Sequence, residues 1–198
     1  MKNYVITIGR EFASGGKEIG RMLAQKLGVA FYDSALLKEN AKKHGIEDAV
    51  FDMFDEKPTK SLLFSAVMDP YAIDNAFNEG KVLEAQRKVI CDAADNGPCV
   101  IVGRRADKIL SDRENVVSVF IGADMQDRIE NYLKKDGAVE RGAKRYIERI
   151  DRERASYYNY FGDGKWGRAD NYTMCFNTSK MSREEIVNII AAYINSKD

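Results

Sequence analysis

The chain has 198 residues, in which 31 Lys plus Arg are balanced by 31 Asp plus Glu and a single histidine is present. That length supports one substantial core, and the even charge leaves no overall positive field to hold a nucleic acid or an anionic membrane in bulk. No stretch approaches the roughly 20 apolar residues of a membrane span, and the start MKNYVITIG lacks a secretory apolar core, so a cytoplasmic protein forming one domain over 1–198 is expected.

Tyr4-Val5-Ile6-Thr7-Ile8 is a β-branched run ending in glycine, after which Ile19, Met22, Leu23 and Leu27 recur at helical spacing until Gly28. Strand, turn and helix are predicted. In an open parallel sheet ligands bind beyond the carboxyl ends of the strands, where helix N-termini also point, so the turn Ser14-Gly15-Gly16-Lys17 is a natural anion site. Two glycines let successive N–H groups converge on phosphate oxygens, the helix start adds its positive dipole end, and Lys17 reaches toward the outer phosphates. The strict pattern G-x-x-x-x-G-K-[ST] is met in part: Glu11 stands where the first glycine belongs, and Glu18 replaces the hydroxyl residue that would ligate Mg²⁺. A turn rich in small residues for steric reasons alone is the alternative, and the strand and helix on either side favour the phosphate reading. Ser14, Gly15, Gly16, Lys17 and Glu18 are the candidate donor-phosphate residues.

A short second strand, Ala30-Phe31-Tyr32, delivers Asp33 and Ser34 to the same rim. Asp33 there could hold Mg²⁺ through water or orient a phosphate acceptor; it could equally cap the helix bearing Leu36 and Leu37, and the two roles are compatible. From 33 to 96 about three helical stretches separate consecutive strands, longer than an ordinary connection, so this segment is predicted to be an insertion over one sheet edge. His44, in the polar run Lys42-Lys43-His44-Gly45, suits a solvated helix end better than a catalytic imidazole. Cys99-Val100-Ile101-Val102 then runs into Gly103-Arg104-Arg105, whose paired guanidiniums suit bidentate phosphate contacts, although surface arginines are common. Val116 to Ile121 forms a fourth strand before a helix with Met125, Ile129, Tyr132 and Leu133 on one face.

Segment 137–171 is polar, arginine-rich and aromatic at its end, and is predicted to be a second insertion. Arg141, Arg145, Arg149 and Arg152 step by four, four and three, which lines one helix face with cations. Glu140, Glu148, Asp151 and Glu153 interleave, so ordinary surface pairs are the competing explanation. An arginine-bearing lid would both stabilise a transferring phosphoryl group and exclude water. Tyr157, Tyr158, Tyr160, Phe161 and Trp166 suit an anchor for that lid rather than a base-stacking surface, with Gly162, Gly164 and Gly167 as hinges. A fifth strand at Tyr172 to Phe176 precedes a capping box, Ser182-Arg183-Glu184-Glu185, and a helix with Ile186, Ile189, Ile190, Tyr193 and Ile194 as its buried stripe. Alternating apolar strands and amphipathic helices imply a parallel sheet covered on both faces. Cys91, Cys99 and Cys175 are scattered, so neither a disulfide framework nor a zinc site is expected, and all three are predicted to be small core residues.

Taken together, Ile6 to Phe12, Ser14 to Gly20, Phe31-Tyr32-Asp33 and Val100 to Arg104 resemble the cytidylate kinase-like family of P-loop proteins, as do Arg152-Glu153-Arg154-Ala155 with Tyr157-Tyr158 and Asn177-Thr178-Ser179. The resemblance implies a three-layer α/β/α fold with a five-stranded parallel sheet, a helical acceptor-binding insertion within 33–96 and an arginine-bearing helical lid at 137–171. It also implies ATP as phosphoryl donor with Mg²⁺, and a nucleoside monophosphate as acceptor, CMP or dCMP first. By the same likeness Lys17, Arg104 and the lid arginines Arg149 and Arg152 would be the catalytic cations. Asp33, Ser34 and Arg104 would lie at the acceptor, with Asp33 the candidate for the metal; Arg105 joins the acceptor set as the second of the paired guanidiniums, not through the likeness. Departures exist: cytidylate kinases carry aspartate where Val102 and Arg105 stand, glycine after the second-strand serine, and a hydroxyl residue after the loop lysine. Cytosine recognition is therefore unsupported by the sequence. A nucleotide-binding sensor with little turnover and a kinase for a non-nucleotide small molecule are the rival functions, and the retained lid arginines favour catalysis over sensing.

Overall fold

The computed structural model describes residues 4–43, 72–135, 137–160 and 165–197. His44 and residues 45–71 of the expected insertion at 33–96, together with Phe161, Gly162 and Gly164 among the expected anchor and hinge residues, lie outside them. Five strands, β1 (Val5–Arg10), β2 (Ala30–Tyr32), β3 (Cys99–Val102), β4 (Val116–Gly122) and β5 (Met174–Asn177), form one sheet in the order β2-β3-β1-β4-β5. Every pairing is parallel. The central strands are covered on both faces, which is why they read as unbroken apolar runs rather than alternating ones.

Alternate residues serve two cores. Ile6, Ile8, Val100, Val102, Val119 and Ile121 pack on Ile19 and Leu23 of α1 (Gly16–Leu27) and on Ile186, Val187 and Ile190 of α7 (Arg183–Asn195). On the opposite face, Val5, Cys99 and Ile101 meet Leu37 of α2 (Ser34–Lys43), Val89, Ile90 and Ala93 of α3 (Ala72–Asp95), and Ala106 of α4 (Ala106–Ile109). The result is the three-layer α/β/α arrangement of P-loop proteins. Ser182 and Glu185 form the expected capping box at the start of α7, but Ile189 is exposed and Val187 takes its place in the core.

Two further helices, α5 (Met125–Leu133) and α6 (Ala143–Tyr160), lie beyond the carboxyl ends of the strands. In α5 the apolar face is only half covered; the residue it buries is Arg128. In α6 the inward residues are Ala143, Ile147, Asp151, Arg154 and Tyr158, spaced by four, four, three and four. The cysteines divide by position: Cys99 is buried, Cys91 half-buried, and Cys175 exposed because it points outward from edge strand β5. Burial pushes the Cys99 thiol up to about 12, leaving it an inert apolar filler.

Candidate active site

β1 ends at Arg10, and the chain then turns through Ala13 (φ 61°) and Gly15 (φ 84°) into α1. Among the described residues, the N–H groups of Ala13, Gly15, Gly16, Lys17 and Glu18 donate to no protein acceptor. A helix start always leaves such donors, and here they line a cleft of about 330 Å³ together with Arg10, Lys134, Lys135, Arg154 and Arg183. Six cationic side chains border this cleft against the acids Glu11 and Glu18, so it selects for a polyanion. Gly15 is favoured by its left-handed φ, and a Cβ there would sit 2.7 Å from the Nε of Arg183 and push that side chain aside. Ser14 does not face the cleft; its hydroxyl reaches the carbonyls of Glu11 and Ile121 while its own carbonyl accepts from Thr178 Oγ1 at 2.9 Å.

Glu11, out of place in the motif, belongs to a clamp that holds the loop. Its Oε2 accepts from the N–H of Ala123 at 3.0 Å and pairs with Arg128 at 3.3 Å. Arg128, 4% exposed, also donates through Nε to the carbonyl of Phe12 at 2.8 Å and through Nη2 to Asp151. The other oxygen of Asp151 accepts from the N–H of Phe12 at 2.7 Å, so α5 and α6 fix both peptide groups of one loop residue. Aromatic packing of Phe12 on Tyr132 and Tyr146 completes the hold.

At the neighbouring strand end, Gly103, Arg104 and Arg105 are left-handed in succession (φ 81°, 58° and 53°), and both arginines are buried. Left-handed non-glycine residues cost about 1–2 kcal/mol each and accumulate where function requires them. Arg104 donates through Nη2 to Ser34 Oγ at 2.6 Å. Arg105 has its guanidinium pKa lowered by burial, partly offset by Tyr157 and Asp107. Burial likewise raises Asp107, whose carboxylate accepts from Tyr158 at 2.6 Å. These groups border a second, narrow cleft of about 20 Å³, walled by Tyr157, Tyr158, Trp166 and Tyr172. Tyr158 on Asp107 and Tyr157 on Gln86 also pin the end of α6 to α4 and α3, and Trp166 packs edge-on against Phe120.

Arg10 and Arg154 border both clefts. Arg154 comes from the inward face of α6 and donates to the carbonyl of Arg10 at 3.2 Å. Of the sequence-predicted residues, Gly15, Gly16, Lys17 and Glu18 stand at the first cleft, and Arg104 and Arg105 at the second. Asp33 joins the two corners: its Oδ2 pairs with Lys17 at 2.7 Å and its Oδ1 caps α2 through the N–H of Leu36. Burial raises the Asp33 pKa, but the bonds from Lys17 and the backbone outweigh it and hold the carboxyl below its ordinary range. Arg149 and Arg152, by contrast, are exposed on the outer face of α6 and border neither cleft; Arg149 lies over the Tyr146 ring. Sequence reasoning passed over Arg10, Arg128, Asp151, Arg154 and Arg183. The signal available for Asp151 and Arg154 was their place on the same helical face as Ala143, Ile147 and Tyr158.

Comparison with known proteins bears on this arrangement. Residues 5–180 match the cytidylate kinase-like family. A cytidylate kinase of Methanoculleus marisnigri is 28% identical over 131 residues, covering 65% of this chain and 70% of that protein. A uronate isomerase of Corynebacterium glutamicum is 26% identical over 132 residues, and the matched part is 67% of this chain but only 25% of that protein. Among solved structures, a protein of Eubacterium ventriosum superposes with a TM-score of 0.74 at 27% identity, covering 98% of this chain and 99% of its own. A shikimate kinase of Bacteroides thetaiotaomicron gives a TM-score of 0.57 at 13% identity, covering 97% and 98%, a likeness of fold. The chain belongs to the cytidylate kinase-like family.

Proposed function

We propose that this family member transfers the γ-phosphoryl group of ATP to a nucleoside monophosphate, with CMP or dCMP the first candidates. The observation that carries the proposal is the pair of adjoining clefts sharing Arg10 and Arg154. A phosphoryl group in flight spreads charge over its equatorial oxygens, and what a protein supplies is position and positive charge between donor and acceptor. The larger cleft, floored by unpaired loop amides, suits the triphosphate; the smaller, narrow as it stands, carries the cations and aromatic rings that a phosphorylated acceptor with a flat ring would meet once it opens. Lys17 rests on Asp33 and would turn to the donor phosphates, which leaves the Asp33 carboxylate for an acceptor hydroxyl or a metal-bound water.

No cluster of three or more carboxylate, histidine or cysteine ligands gathers among the described residues. Mg²⁺ still suits the donor corner, because it keeps several waters and needs only one or two protein carboxylates, here Asp33, besides phosphate oxygens. When bound it would neutralise charge on the triphosphate. The test is to incubate the purified chain with ATP, Mg²⁺ and a panel of nucleoside monophosphates, nucleosides and small hydroxy acids, and to follow ADP. Acceptor-dependent ADP with CMP or dCMP is expected, and Lys17→Ala should lower that rate at least about 1,000-fold while the protein stays folded. ADP formed only with a non-nucleotide acceptor would overturn the assignment of substrate; ATP binding with no transfer to any acceptor would overturn the assignment of activity.

A further inference from the structure

Arg183 is the first residue of α7, beyond the segment that matches the family, and its neighbours account for the capping box without it. Its guanidinium lies against Gly15, with Nε 2.7 Å and Nη2 3.2 Å from where a Cβ would be. It borders the larger cleft beside Gly16 and Lys17. Among the described residues it makes no ion pair and no hydrogen bond, although it is half-buried. Two other charges at this corner are engaged: Lys17 pairs with Asp33, and Glu11 with Arg128. Two ties fix the backbone around Arg183, the Ser182–Glu185 capping box and the bond from Thr178 to the carbonyl of Ser14, which joins the β5–α7 corner to the loop.

A half-buried guanidinium set over backbone amides without protein acceptors suits an anion. We propose that Arg183 is a donor-phosphate residue: with the amides of Gly15 and Gly16 it grips the polyphosphate and offsets the negative charge that Glu18 adds to the loop where a neutral hydroxyl residue would stand. The inference rests on the donor cleft of the kinase reading but not on transfer. It also gives a reason for glycine at position 15 that conformation alone does not, since any side chain there would displace the cation.

Titration calorimetry with ATP, adenosine and inorganic tripolyphosphate tests this on the intact chain in three forms: unaltered, Arg183→Gln and Arg183→Lys, each with its melting temperature checked. The expected result for Arg183→Gln is a Kd about 10-fold or more higher for both ATP and tripolyphosphate, with adenosine unchanged and Arg183→Lys intermediate. An equal loss for adenosine would make Arg183 a base-stacking residue and overturn the proposal, as would unchanged tripolyphosphate affinity. The two readings separate cleanly. Weakened tripolyphosphate binding in a chain that transfers nothing would leave Arg183 assigned and the kinase reading fallen; full activity with undiminished affinity in Arg183→Gln would do the reverse.

Discussion

The two turns that leave adjacent strands β1 and β3 solve the same problem differently. After β1, the loop from Glu11 to Gly16 presents backbone amides, and its shape is imposed from outside by Arg128, Asp151 and Thr178. After β3, the turn presents side chains, and Arg104 and Arg105 hold left-handed backbone themselves to aim guanidiniums into the cleft. One corner spends side chains elsewhere in the molecule to shape a bare backbone, while the other strains its own backbone to place its side chains. The difference means that loss of the side chains clamping the β1 loop should register as instability, whereas loss of the arginines after β3 should register as lost binding.

The largest effect should come from Asp151→Ala. It removes the acceptor of the Phe12 amide and leaves the 4%-exposed Arg128 without its closest partner, a loss of about 3 kcal/mol. In a thermal melt that is a fall of roughly 6–12 °C; a change within about 2 °C would show that the loop keeps its shape unaided. Arg105→Gly should do the opposite. It relieves about 1 kcal/mol of left-handed strain, so the melting temperature should hold or rise by about 2–4 °C, while KM for the acceptor rises about 10-fold. A lower melting temperature with unchanged KM would make Arg105 a structural residue and erase the contrast between the corners.

Much of this was legible in the sequence because it depends on local pattern. Strand runs, the capping box at Ser182 and the small residues before Lys17 each carry their own signal within a few positions. Helix α6 was legible as a helix but its orientation was not. Four arginines in register looked like the functional face, yet a helix packs by its apolar residues, and Ala143, Ile147 and Tyr158 turn Arg149 and Arg152 outward. Asp151 and Arg154 share that apolar face, which is the rule for polar residues that do work inside a fold: they follow the buried stripe. Glu11 and Arg128 were harder, since an acid at a glycine position and an arginine in an amphipathic helix make sense only once the two are seen 3.3 Å apart. Arg183 looked like one letter of a cap because nothing local links it to Gly15, 168 positions away in the chain.

The claim on which the function rests is that transfer happens across Arg154, where the two clefts meet. Arg154→Gln, measured for turnover and, separately, for the Kd of ATP and of the acceptor, tests it directly. The account predicts that kcat falls at least about 100-fold while both Kd values stay within about threefold, the mark of a group that acts on the transition state. An unchanged kcat, or binding losses large enough to explain the whole fall in kcat/KM, would contradict it.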